Sequence, residues 1–241
     1  MKRFEPADLK ERLKLYLVVG SVNCRQDAAE VVEEAIRGGV TMVQLREKGR
    51  NALAGNARAE LGGRILAVCR RYGVPLIVND DVDLALALDA DGVHIGQEDE
   101  PADRVRERIG NKILGLSVHS LEEAKLGAEL SADYFGVGPV FPTVSKEDAR
   151  PVQGTATLRN IRRMHAAMPI VGIGGITAAR APEVIQAGAD GIAVISAITQ
   201  TPDPCLAAME LSRALTVSLA GRNPQAKHIP VLRPEGWIRN P

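Results

Sequence analysis

Short runs of apolar residues alternate along this chain with longer stretches in which apolar positions recur every three to four residues. The short runs fall at 15–19, 42–46, 76–79, 92–95, 113–117, 134–137, 170–173 and 191–195. They are rich in Val and Ile, and most lack the strict alternation of a strand with one wet face. Continuous apolar runs of this length predict strands buried on both sides, as in a parallel sheet. The intervening stretches predict amphipathic helices over 28–37, 61–72, 121–130, 157–165 and 182–187, with shorter ones at 85–88 and 105–109.

A local signature recurs where a helix hands over to the next strand. Asp89-Ala90-Asp91-Gly92, Ser131-Ala132-Asp133-Tyr134 and Gly188-Ala189-Asp190-Gly191 each occupy such a joint, and Gly38-Gly39-Val40 plays the same part earlier. A small residue stops the helix, and an Asp turns the chain into the strand. Repeated units of this kind predict a single α/β domain, a (β/α)8 TIM barrel. An open doubly wound sheet is the alternative, but no Gly-x-Gly-x-x-Gly turn follows the first strand. The barrel is expected over 1–218. Residues 219–241 are expected to form an extended C-terminal tail, because Ala220-Gly221-Arg222-Asn223-Pro224 breaks the last helix and Pro230, Pro234 and Pro241 follow.

Length changes this picture little: 241 residues suit one barrel domain. Charge narrows the choice of partners. Basic and acidic residues balance at 30 each and aromatics are 3%. The chain thus has neither the basic surplus nor the stacking surface of a nucleic-acid binder. The first 14 residues are charged and lack a signal-length apolar stretch, and no run is long enough to span a bilayer. Cys24, Cys69 and Cys205 are too few and too scattered for a disulfide framework or a zinc site. A cytoplasmic protein acting on small molecules is expected, with no nucleic acid and no membrane as partner. Whether it forms a homo-oligomer is left open.

Candidate chemistry lies where strands end. In barrels the site forms at the C-terminal ends of the strands. In Gln44-Leu45-Arg46-Glu47-Lys48-Gly49, strand-like alternation sends Gln44, Arg46 and Lys48 to one side. Gln44 suits a heterocycle edge, and Arg46 and Lys48 suit phosphate oxygens. A strand tip with solvated charges is the competing reading. Asp80 and Asp99 suit Mg²⁺, which takes carboxylates together with substrate phosphate and water. Asn79, Asp80 and Asp81 equally suit a helix cap. The sixth strand leads through Gly138 and Pro139 to Thr143, Ser145 and Lys146. Gly174-Gly175, followed by Thr177, predicts a tight turn into a helix N-terminus, a phosphate-binding feature, with Ser196 at the next strand end facing the same region. His94 and His119 stand near the same mouth, in either a structural or a chemical role.

These pieces, in this order, resemble the thiamine phosphate synthase family. The matching segments are Val43 to Lys48, Val78-Asn79-Asp80, Gly92 to Asp99, Gly138 to Asp148, Gln153-Gly154, Gly172 to Thr177, and Gly188 to Gly191. The resemblance implies a barrel that condenses hydroxymethylpyrimidine diphosphate with a hydroxyethylthiazole phosphate, giving thiamine phosphate and diphosphate. Carried over by position, it implies that Gln44, Arg46, Lys48, Asn79, Ser117 and Lys146 hold the pyrimidine diphosphate, and that Asp80 and Asp99 bind Mg²⁺. Thr143, Ser145, Gly175, Ile195 and Ser196 would hold the thiazole phosphate. Arg46, Lys48, Lys146 and Ser117 would assist departure of the diphosphate. Ser145 stands where the family usually has Thr, and the hydroxyl is kept. Two rivals remain: a thiazole tautomerase of the same fold, in which His119 would move a proton, and a non-catalytic barrel that senses a phosphorylated ligand. Neither needs the joint presence of Arg46, Lys48, Asp80, Asp99 and Lys146.

Overall fold

A computed structural model describes residues 5–145 and 150–222 of the chain. Eight parallel strands close in sequence order into a barrel: β1 Leu15–Val19, β2 Met42–Leu45, β3 Leu76–Asn79, β4 Gly92–Ile95, β5 Ile113–Val118, β6 Tyr134–Val137, β7 Ile170–Ile173 and β8 Gly191–Val194. β8 pairs back onto β1, with Leu15 opposite Ile192. The expected strands are all present, within one residue at each end.

The helices are α1 Pro6–Arg12, α2 Ala28–Arg37, α3 Gly55–Tyr72, α4 Val82–Ala87, α5 Ala102–Ile109, α6 Leu121–Glu129, α7 Gly154–Met164, α8 Ala181–Gln186, α9 Ser196–Thr199 and α10 Pro204–Arg222. Two were not foreseen. α1 buries only Leu9, which with Leu13 closes the bottom of the barrel against Tyr16, Met42, Ile77 and Ile113. α9 is a single turn just past β8. α10 continues through Arg222, four residues beyond the boundary expected at 218; the rest of the tail lies outside the described residues.

The recurrent joint has a physical basis. Gly39, Asp89, Ser131 and Gly188 all adopt positive φ, ending their helices in the left-handed conformation. The next residue's N–H then returns five residues: Val40 to Ala35, Ala90 to Ala85, Ala132 to Gly127 and Ala189 to Val184. One residue further on, a side chain accepts a backbone N–H at the start of the preceding strand. Thr41 Oγ1 takes Leu15 N at 2.9 Å, and Asp91 Oδ2 takes Leu76 N at 2.9 Å. Asp133 Oδ2 takes Leu114 N at 2.8 Å, and Asp190 Oδ2 takes Ile170 N at 2.9 Å. Strands are thereby clasped in pairs at the bottom of the barrel, away from the strand ends that carry the candidate chemistry. Arg106 and Arg162 brace two of these carboxylates, at 2.5 and 2.6 Å.

Most of the apolar surface is buried between strands and helices, where β residues such as Val43, Val78, Val93 and Ile192 meet Ile65, Val105 and Val184. Two-sided burial explains the unbroken apolar runs.

Candidate active site

Above the apolar plug, the C-terminal strand ends surround a cavity of about 600 Å³. Arg46, Lys48, Asn79, Asp80, Asp99, Ser117, Thr143, Ser145, Gly175, Ile195 and Ser196 all line it, as do His94 and His119. Lys146 lies outside the described residues.

At the β2 end the alternation holds. Arg46 and Lys48 face the cavity, while Glu47 turns outward and accepts Ser21 N at 2.8 Å and Leu53 N at 2.8 Å. Glu47 thereby pins the loop that carries both cations. Arg46 is buried, 6% exposed. Gln44 sits lower. Its Nε2 donates to Tyr16 Oη at 2.7 Å, and it lines a pocket of about 20 Å³ that shares His94 and Ser117 with the large cavity.

The Asn79–Asp81 triplet divides its labour. Asp81 is the N-cap of α4, accepting Leu84 N at 2.9 Å, and also meets Arg58. Asp80, at φ 61°, is in a conformation that L-residues rarely adopt, and its carboxylate contacts Lys48 Nζ at 2.5 Å in the cavity. Burial, and the neighbouring Asp99 with which it hydrogen-bonds, raise Asp80 above the ordinary carboxylate range, although Lys48 pulls the other way. Burial would lower Lys48, but its contact with Asp80 outweighs this and raises it. Both members of the pair are thus raised. The geometry accounts for this: Asp80 faces one cation and one like charge while partly desolvated, so its ion pair is not enough to make ionisation easy. Asp99 is held by Gly96 N at 2.6 Å.

A second group of polar atoms gathers across the β6, β7 and β8 loops. Ser145 Oγ donates to Ser196 Oγ at 2.9 Å, and Ser145 N donates to Thr143 Oγ1 at 3.2 Å. Gly174 and Gly175 have φ of 101° and 61°. A Cβ on Gly175 would lie 2.4 Å from Pro142 O, so glycine is needed for the two loops to touch. The Gly pair leads to the expected helix through a further turn. Thr177 O accepts the Arg180 and Ala181 N–H groups, and α8 starts at Ala181, one residue before the expected 182. The short helix that starts at this site is α9, which opens at Ser196 after β8.

Two lining arginines, Arg180 and Arg150, escaped the sequence reading. Arg180 donates to Gly175 O at 2.8 Å and lies 4.9 Å over the Phe141 ring, tying the β6 and β7 loops together. Arg150 pairs with Glu98 at 2.7 Å on the rim, and Gln97 Nε2 donates to Ser117 O at 2.6 Å. Arg180 follows a Gly-Gly turn on a strand-to-helix loop, which was the available signal; Arg150 offered none. His119 is backed by Glu123, whose Oε2 lies 3.1 Å from Nδ1 and accepts the His119 N–H at 2.6 Å.

Among the described residues, no group of three or more His, Cys, Asp or Glu could hold a metal ion by itself, and no helix is long and apolar enough to cross a membrane.

Comparison with known proteins agrees with this architecture. The family model for thiamine monophosphate synthase matches residues 15–198. A thiamine-phosphate synthase of Geobacillus kaustophilus is 55% identical over 215 residues, covering 89% of this chain and 97% of its own. One from Anoxybacillus flavithermus is 57% identical over 190 residues, covering 79% and 88%. Among solved structures, a thiamine phosphate pyrophosphorylase from Pyrococcus furiosus superimposes with a TM-score of 0.79 at 41% identity, covering 88% of this chain and 99% of that one.

Proposed function

The chain belongs to the thiamine monophosphate synthase family, and we propose from its geometry how it carries out that family's reaction. It is an enzyme, a transferase of thiamine biosynthesis that makes thiamine phosphate. The observation that carries the residue-level reading is that one cavity is lined both by Arg46, Lys48, Asp80 and Asp99 and by the hydroxyl cluster of Thr143, Ser145 and Ser196. Two phosphorylated substrates need two such regions in one chamber.

Arg46 and Lys48, with Asn79 and Ser117, hold the pyrimidine diphosphate; Gln44, in the small pocket below, meets the heterocycle edge. Lys146 is assigned to the same diphosphate by the family resemblance. Thr143, Ser145, Ser196 and the backbone at Gly175 and Ile195 hold the thiazole phosphate. The donor set fits a divalent cation: Asp99 stands close enough to Asp80 to oppose its ionisation, and Mg²⁺ takes few protein carboxylates beside phosphate and water. When bound, Mg²⁺ supplies positive charge to the diphosphate oxygens. The protein's own part is positional. Arg46 and Lys48 stabilise charge that grows on the leaving group, and that charge is larger in the transition state than in the ground state. The aminopyrimidine carries the methylene cation until the thiazole nitrogen captures it, so no protein nucleophile is needed. Burial of Arg46 and His94 in the cavity wall limits water that would compete for the cation. The free cysteines Cys24, Cys69 and Cys205 fit a reducing cytoplasm.

The test is to mix the purified chain with both substrates and Mg²⁺ and to measure diphosphate and thiamine phosphate. Both should appear in equal amounts, and excess chelator should stop the reaction. Undiminished turnover in chelator would remove the cation from this reading.

A further inference from the structure

A chain of side-chain hydrogen bonds climbs the inside of the barrel to the floor of the active-site cavity. Gln44 Nε2 donates to Tyr16 Oη at 2.7 Å, and Tyr16 Oη lies 2.9 Å from Tyr134 Oη. Tyr134 Oη lies 2.9 Å from His94 Nδ1, and His94 Nε2 lies 2.9 Å from Ser117 Oγ. Both phenols are buried, at 1% and 0% exposure. The strands leave room for them. A Cβ on Gly115 would fall 2.2 Å from Tyr134 Cζ and 2.4 Å from His94 Nδ1, and one on Gly136 would fall 3.1 Å from His94 Cε1.

We propose that this series is a positioning device: it fixes His94 in the Nε2–H tautomer and so turns the Ser117 hydroxyl hydrogen into the cavity. The polarity starts at Gln44. An amide N–H can only donate, so Tyr16 Oη accepts there and passes its own hydrogen to Tyr134. Tyr134 passes its hydrogen to His94 Nδ1, which must then be the bare nitrogen. The proton sits on Nε2 and is donated to Ser117 Oγ, leaving the serine hydrogen for a cavity acceptor such as a diphosphate oxygen. Every hydroxyl in the series donates once and accepts once, and bonds aligned this way polarise one another. Burial pushes both phenols well above their ordinary range, so both keep the hydrogen the series requires. Rotating the Gln44 amide by half a turn would reverse every bond. Ser117 would then donate to His94 and present only lone pairs to an anionic substrate.

The inference rests on the reading that Ser117 touches the diphosphate, and its test separates the two. Selective ¹⁵N labelling of the histidines in the full chain reads the tautomer without substrate, with His94→Gln to assign the signal. The wild type should show His94 protonated at Nε2 alone, and Tyr134→Phe should show a mixture. An Nδ1–H tautomer in the wild type overturns the proposal. In turnover, Tyr134→Phe should lower kcat about tenfold with KM for the diphosphate little changed. That is a fraction of the 10²–10³ typical of losing a preorganised donor outright. Adding Ser117→Ala to Tyr134→Phe should cost less than Ser117→Ala costs alone. Tyr16→Phe, one link further away, should act in the same direction and serves if Tyr134→Phe does not fold. Wild-type kcat in folded Tyr134→Phe beside a slow Ser117→Ala refutes the device. Wild-type kcat in Ser117→Ala refutes instead the substrate contact of Ser117, while the tautomer result still stands or falls by itself.

Discussion

Ser145 offers a sharp test of how the thiazole phosphate is held. Its hydroxyl donates to Ser196 Oγ at 2.9 Å while its own N–H donates to Thr143. A hydrogen bond to a charged phosphate is worth about 1.5–3 kcal/mol. To make it, Ser145 must give up its neutral bond to Ser196, worth about 0.5–1.5 kcal/mol. The net contribution is therefore about 1–2 kcal/mol, a factor of about 5–30 in affinity. Ser145→Ala should raise KM for the thiazole phosphate by that factor. It should leave kcat nearly unchanged, because the phosphate is remote from the bond being made and the contact is equal in ground and transition states. Ser145→Thr, which keeps the oxygen, should stay within about twofold of wild type, since a threonine hydroxyl offers the same donor and acceptor. The assay is steady-state diphosphate release with the thiazole phosphate varied at saturating pyrimidine diphosphate. An alanine variant with wild-type KM would show that this hydroxyl never meets phosphate. A variant that lost kcat instead would mean that the cluster acts on the chemistry.

Three further outcomes follow from other parts of the molecule. Asp80 is raised in the fold by burial and by Asp99, so above its folded value its charge subtracts from stability, and the penalty fades as pH falls through that value. Asp80→Asn should raise the Tm of the metal-free protein at neutral pH, with the gain shrinking on acidification, yet lower kcat by about 10²–10³; a lower Tm at neutral pH would contradict the electrostatic argument. Asp133→Ala removes the acceptor of Leu114 N and the partner of Arg106. It should cost about 3–5 kcal/mol, or about 6–20 °C in Tm for a domain of this size, with kinetics of the folded fraction intact; a calorimetric shift under about 3 °C would refute the clasp. Lys146→Ala should bind the pyrimidine diphosphate within several-fold of wild type but turn over at least about tenfold more slowly, and wild-type kcat would return Lys146 to a solvated loop charge.

How far the sequence could be read depends on where the physics is local. The strands were legible because burial on both faces writes an unbroken apolar run, and the joints because Schellman ends and an acceptor two residues later sit within a few positions. α3 begins six residues before the expected 61 because its opening segment, Gly55 to Glu60, shows no apolar stripe. α1 was invisible for a related reason: Leu9 and Leu13 acquire meaning only once a barrel exists to be plugged. In the site, Arg46, Lys48, Asp80 and Asp99 announced themselves as charges at strand ends. The capping ambiguity at Asn79–Asp81 could be settled only by side-chain direction, which gave the cap to Asp81 and the cavity to Asp80. Tyr16 and Tyr134 lie 118 positions apart and meet only across the barrel interior, so no window along the chain contains both.

The four side-chain clasps at the bottom of the barrel join β1 to β2, β3 to β4, β5 to β6 and β7 to β8. The wall is therefore built of four two-strand staves rather than eight equal planks. Each stave carries its own fastening at one rim, and the substrates gather at the other. Sequence can drift at the working rim, lengthening a loop or exchanging a hydroxyl for another, without loosening any fastening. Wear at the lower rim would instead open the vessel along a whole quarter.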